Sequence, residues 1–195
     1  MNRLTLIALV VSFSLGKAAE PAKITLAEAG KALLPIIVAP GATERTKTAA
    51  GELADYLGRI TGGKYEVKTG DGSSGIVVGT TGDFPEAAKD DWLTDKAITA
   101  RENYLIRSET GRLLLLGNKE PGVEHAVWDL LHQLGHRQFF PGPHWEIVPK
   151  QADVSVEIGR FERPAFHSRS IWFGYGAIAE RKADYEAWCR RNRAT

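Results

Sequence analysis

The chain has 195 residues, 43% of them hydrophobic, with 25 Lys and Arg against 24 Asp and Glu and a single Cys. Near-neutral charge without a basic run argues against nucleic-acid binding, and one cysteine permits no internal disulfide. The length allows one domain with a proper core and little more.

The amino end, MNRLTLIALVVSFSLGKAAEPA, places one early cation, Arg3, before an uncharged apolar run from Leu4 to Leu15 and then small residues. That is the layout of a secretory signal peptide, and Gly16 and Ala18 point to cleavage after Ala18. The other reading, an uncleaved anchor, meets the difficulty that the run is short for a bilayer span. Cleavage removes Arg3 and Lys17, so the formal charge moves from 25 − 24 = +1 to 23 − 24 = −1. No later segment is apolar enough to cross a membrane. The mature chain is therefore expected to be secreted or periplasmic, with no membrane contact after cleavage.

Along the mature chain, a weak strand near Ile24–Leu26 precedes the apolar strand IIVAP (36–40), which ends at a Pro-Gly turn. From Thr43 the apolar positions Ala49, Ala50, Leu53, Ala54, Leu57 and Ile60 recur at three-and-four spacing. This predicts an amphipathic helix with Thr43 as its cap and Gly62–Gly63 as its stop. YEVKT, GIVVGT, NYLIRS and RLLLLGN follow as four strands, the last two joined by a tight hairpin through Glu109, Thr110 and Gly111. A short helix around Pro85–Asp91 is expected between the second and third.

A second helix is predicted over 121–134, with Val123, Ala126, Val127, Leu130, Leu131 and Leu134 on one face, Pro121 in the first turn and Gly135 at the stop. His132 and His136 show a metal-like spacing, but a left-handed Gly135 would send His136 into the next strand and off the helical face. His125, Asp129 and His132 share a face opposite the apolar stripe. Without HExxH or a cysteine ligand, that face reads as solvated, and no metal or other cofactor is expected. Arg190, Arg191 and Arg193 likewise read as a solvated face. Cys189 reads as a small buried residue, since no His or Asp partner can be named for it.

The run LLLLGNKEPGVEHAVWDLL has the outline of a phosphate-binding loop, with G-x-x-x-x-G at Gly117–Gly122. Val123 and Glu124 stand where Lys and Ser or Thr would meet phosphate and magnesium, so the glycines are read as serving the turn and the helix start.

The stretches IVAPGATERTKTAAGELADYLGRITGGKYEV, GIVVGTT and NYLIRSETGRLLLLGNKEPGVEHAVWDLLHQLGHRQFFPGPHWEIVP resemble the small domain before the barrel in bacterial α-glucuronidase-like and β-hexosaminidase-like glycoside hydrolases. They are especially similar to the exported DUF4838 group. The resemblance covers about 22–165, and its most specific piece is L-G-x-R-x-F-x-P-G leading into E-x-V-P, from Leu134 to Pro149. It implies an α+β fold, a mixed β-sheet with helices packed on one face, placed before a (β/α)₈ barrel. The expected division is a signal peptide at 1–18, an accessory domain at 19–165, and the first strand and helix of an incomplete barrel at 166–195.

Glycoside hydrolysis needs two carboxyl groups held roughly 5 to 9.5 Å apart. No such pair can be nominated here: there is no Asp-Glu dipeptide, and Asp90 and Asp91 read as an exposed helix end. No catalytic residue is therefore expected, although the parent protein is expected to be a glycosidase acting on a carbohydrate, through the barrel, as its partner. The hexosaminidase-like resemblance implies a sugar-binding arginine at Arg169, and Trp172, three residues on, could stack against a sugar face. A salt bridge for Arg169 and a core position for Trp172 are the structural alternatives. The carboxyl-terminal segment, with Tyr185, Trp188 and Cys189 lacking barrel neighbours, is expected to be the least ordered part of the mature chain. The function expected is a non-catalytic accessory domain of a secreted glycoside-hydrolase-like protein, or alternatively a stand-alone carbohydrate-binding or adhesion module.

Overall fold

Strand alternation decides the architecture. The computed structural model describes residues 20–87, 93, 95–166, 168–171 and 179–194. In chain order the elements are β1 (Ile24–Glu28), β2 (Lys31–Ala32), β3 (Ile36–Val38), α1 (Glu44–Thr61), β4 (Val67–Thr69), β5 (Gly75–Thr80), β6 (Tyr104–Glu109), β7 (Arg112–Gly117), α2 (Glu120–Gln133), β8 (Arg137–Gln138), β9 (Glu146–Ile147), β10 (Val154–Val156), β11 (Gly159–Glu162) and α3 (Lys182–Arg191).

Six strands form a mixed sheet in the order β11-β6-β7-β5-β3-β4. β4, β3, β5 and β7 run parallel, while β6 and β11 are antiparallel to their neighbours. A three-stranded sheet, β10-β1-β2, and the short β8–β9 pair complete the strands. The β6–β7 hairpin turns at Thr110–Gly111, with Glu109 opposite Arg112.

Because side chains alternate across a strand, the six-stranded sheet feeds two cores. Ile76, Val78, Tyr104, Ile106, Leu113 and Leu115 face α1, α2 and the small sheet. Val77, Leu105, Leu114 and Leu116 face the other way, under Phe84, Ala87 and Leu93. Both faces of the central strands are buried, which explains their near-continuous apolar runs. The described helices α1 and α2 lie on the first face.

The helix caps follow the sequence. Thr43 accepts a hydrogen bond from the Thr46 amide at the start of α1, and Gly62 closes it in a left-handed conformation. Every residue of the apolar stripe expected on α2 is buried. Residues 85–87 form a turn, and 88–92 of the helix expected there, with Asp90 and Asp91, lie outside the described residues.

Four expectations are corrected. The His125–Asp129 face of α2 is not solvated: both side chains are buried, with Glu162, Pro164, Arg169 and Arg193 around His125 and Arg160 and Arg193 on Asp129. The arginines of α3 also point inward. Arg190 pairs with Glu52, Arg191 with Glu146 and Arg193 with Asp129. The carboxyl-terminal helix therefore packs on α2 rather than lacking a surface. Of the apolar strand expected after Phe166, residues 168–171 carry no strand, and 167 and 172–178 lie outside the described residues.

Candidate functional site

Polar chemistry concentrates where α3 meets α2, in two arginine–carboxylate clusters. Burial without pairing would be prohibitive for these charges, so the chain surrounds each carboxylate with donors.

Glu146, at the start of β9, anchors the first cluster. Tyr56 Oη donates to its Oε1 at 2.5 Å, Arg59 to its Oε2 at 2.7 Å, and His136 Nε2 lies 3.1 Å from Oε1. Arg191 adds a longer contact at 3.4 Å and donates to Gln138 Oε1 at 3.0 Å. Burial alone would raise the Glu146 carboxyl, but the hydrogen bonds from Tyr56, Arg59 and His136 outweigh it and hold it down to about 2. Burial, followed by the bond to Glu146, pushes the Tyr56 hydroxyl up to about 12.

The second cluster surrounds a cavity of about 260 Å³ lined by Tyr104, His125, Glu162, Arg169, Asn192 and Arg193, among others. Beside it, Asp129 accepts from Tyr104 at 3.0 Å and pairs with Arg160 at 2.9 Å. Arg193 donates to the Tyr104 hydroxyl at 2.7 Å. Burial lowers His125 to about 4, against the partial support of Glu102, so it is neutral near pH 7.

Arg169 belongs to this cluster. Its Nη2 donates to Glu102 Oε2 at 2.5 Å, its Nη1 to the Phe166 carbonyl at 2.7 Å and its Nε to the Arg193 carbonyl at 3.0 Å. The planar guanidinium thus ties together β6's approach, the segment after β11 and the end of α3. Trp172 lies outside the described residues. Arg169 also lines the cavity, so the structure brings it to a polar hollow while engaging its nitrogens with the protein itself.

These charges are paired with one another across the fold. A general acid needs a carboxyl raised towards neutrality. Glu66, Asp71, Glu109 and Glu146 are displaced downward, away from that range. Among the described residues no group of three His, Cys, Asp or Glu side chains gathers as around a metal ion. His136 leaves the helical face as expected, yet its ring comes back to meet that of His132. Gly135 turns the chain at φ 98°, and the two rings stack with centroids 5.7 Å apart.

The glycines of the phosphate-loop outline have a packing role. A Cβ on Gly117 would stand 2.2 Å from the Val123 amide nitrogen, and one on Gly122 would stand 2.5 Å from the Asn103 carbonyl. Glu124 is committed to Arg45 through two contacts of 2.7 Å. Cys189 is half-buried.

Residues 22–130, more than half of the chain, match the family described as the glycosyl hydrolase family 67 N-terminus. The chain belongs to this family. The fold of this family 67 N-terminal domain is shared by a GH115 4-O-methyl-α-glucuronidase with specificity for decorated arabinogalactans. That alignment has a TM-score of 0.65 and 17% identity, over 88% of this chain and 25% of the enzyme. An N-acetyl-β-hexosaminidase from Streptomyces plicatus aligns over 87% of this chain and 31% of its own, at 20% identity and a TM-score of 0.47. The chain therefore spans between a quarter and a third of the length of these enzymes. No curated protein matches it in sequence.

Sequence reasoning missed Tyr56, Glu102, Tyr104 and Arg160 as members of the clusters. Tyr56 could have been found, because it lies three positions after Leu53 on the apolar face of α1 and its hydroxyl needs a partner there. Glu102 and Tyr104 carry no such signal.

Proposed function

We propose that this chain serves as a non-catalytic amino-terminal accessory domain of an exported glycoside-hydrolase-like protein that degrades carbohydrate. In this reading residues 1–18 are a cleaved signal peptide, 19–165 the domain and 166–195 the start of a catalytic barrel. The family membership supports the carbohydrate context. The observation that carries the accessory role is the state of the buried carboxylates: Glu102, Asp129 and Glu146 are each neutralised by arginine, and Glu146 is held far below the range of a general acid. The Arg169 clamp supports the same reading, since it fastens the segment after Phe166 to the domain instead of offering free donors to a sugar.

The test is activity of the purified chain on aryl glucuronides and aryl N-acetyl-glucosaminides. No turnover above background is expected, and turnover that persists to homogeneity overturns the reading. Sequencing the amino terminus of the exported protein tests the leader: a mature chain beginning at Ala19 is expected. A second reading, a stand-alone secreted carbohydrate-binding module, is favoured by the docking of α3 on α2. Saturable glycan binding by the isolated chain would support it.

A further inference from the structure

Four nitrogens at the junction of α2, β8 and α3 are buried and have no hydrogen-bond partner among the described residues: Trp128 Nε1, His132 Nε2, His136 Nδ1 and Arg191 Nε. Folded proteins rarely leave such groups unmatched, because burial strips them of water without replacement. Their side chains are neighbours. The His132 and His136 rings stack at 5.7 Å, His136 lies 5.3 Å from Trp128, and the Arg191 guanidinium carbon sits 5.3 Å over the Trp128 ring. Trp128 and His132 are also four residues apart on one helical face.

Chemistry sets the role of each nitrogen. The indole Nε1 and the guanidinium Nε can only donate. His136 Nε2 faces the Glu146 carboxylate, which can only accept, so the ring proton sits on Nε2 and Nδ1 presents a lone pair. His132 in its Nδ1–H form presents a second lone pair at Nε2. We assign His132 that tautomer because it gives the set two donors and two acceptors, whereas the Nε2–H form would leave three donors against one acceptor. An anion would face two lone pairs and a cation two N–H groups. A water molecule, which accepts two hydrogen bonds and donates two, complements all four.

We propose that Trp128, His132, His136 and Arg191 enclose one tightly held water molecule that fastens α3 to α2. Three of the four ligands come from α2 and the turn after it, and the fourth comes from α3. The site is complete only while α3 is docked, so the water acts as a bolt between the domain and its carboxyl-terminal helix.

A high-resolution crystal structure of this chain tests the proposal. One solvent peak is expected within about 2.7–3.2 Å of all four nitrogens. An empty site, or a peak that reaches fewer than three of them, overturns it. In solution, the Trp128 indole proton should show magnetisation transfer from a long-lived water. Arg191→Lys keeps the charge but deletes the Nε donor. It should weaken that transfer and speed amide exchange in α3 by about tenfold, leaving α1 unchanged. An indole signal and α3 exchange that both stay the same in Arg191→Lys would also overturn the proposal.

Discussion

Four side chains converge on Glu146, and their positions explain why its role could not be read in advance. Tyr56 and Arg59 are 90 and 87 positions away, so nothing local announces the cluster. The sequence did mark Glu146 as part of the E-x-V-P motif, but not what it holds. Glu146→Ala would strand Arg59 and Arg191 without their carboxylate and should destabilise the domain by about 3–5 kcal/mol in urea unfolding. Glu146→Gln, which retains acceptor capacity, should lose less. Gly122→Ala offers a second check, because its Cβ would collide with the Asn103 carbonyl at 2.5 Å. Moving backbone to make room should cost about 1–3 kcal/mol, measured the same way.

At the scale of the element, α1 and the central strands were legible because their signals are local. Period, cap and stop all agree in α1, and Thr43→Ala should cost about 1 kcal/mol through loss of the bond to the Thr46 amide. The α3 segment was legible as a helix but not as a docked one. Its anchoring rests on Trp188 Nε1 donating to the Gln138 carbonyl at 3.0 Å and on three arginine pairs reaching separate elements. Hydrogen exchange should therefore show α3 protected well above the level of an isolated helix of its length. Exchange as fast as in an unstructured peptide would contradict the observed packing.

For the whole molecule, the covered histidine face predicts acid sensitivity. Burial lowers His125 and His132 to about 4 and moves His136 in the same direction. In the unfolded chain these rings titrate near 6.5, so between pH 6.5 and 4 the unfolded state binds more protons than the folded state. Stability is then fully present above pH 6.5 and falls as pH drops towards 4, by about 1.4 kcal/mol per pH unit for each such ring at the steepest. Glu146 adds a further loss below pH 4.5, as its depressed carboxyl is approached. Urea midpoints measured from pH 7 to 4 should fall steadily, and a flat profile would show that the rings are not buried in solution. Deleting residues 166–195 removes Arg169 from Glu102 and Arg193 from Asp129, leaving the Arg101 and Arg160 pairs, and strips the lining over His125. Such a truncation should lower the melting temperature by several degrees, rather than improve the protein as an unpacked tail would imply.

What the sequence determined by itself was whatever depends on neighbours within a turn or a strand: the two amphipathic helices, their glycine stops, the apolar strands, the hairpin and the family resemblance. Those signals are short-range and repeat with the period of the element that produces them. Only the tertiary structure decided which polar faces see water. The His125–Asp129 stripe reads as solvated on a helical wheel, and the Arg190–Arg193 cluster reads as solvated on another. Each covers the other, because Asp129 and Glu146 on one side and the arginines on the other arrive from segments tens of residues apart. A pattern of hydrophobic periodicity records where apolar surface must be hidden, and it carries no signal for charges that are buried against one another.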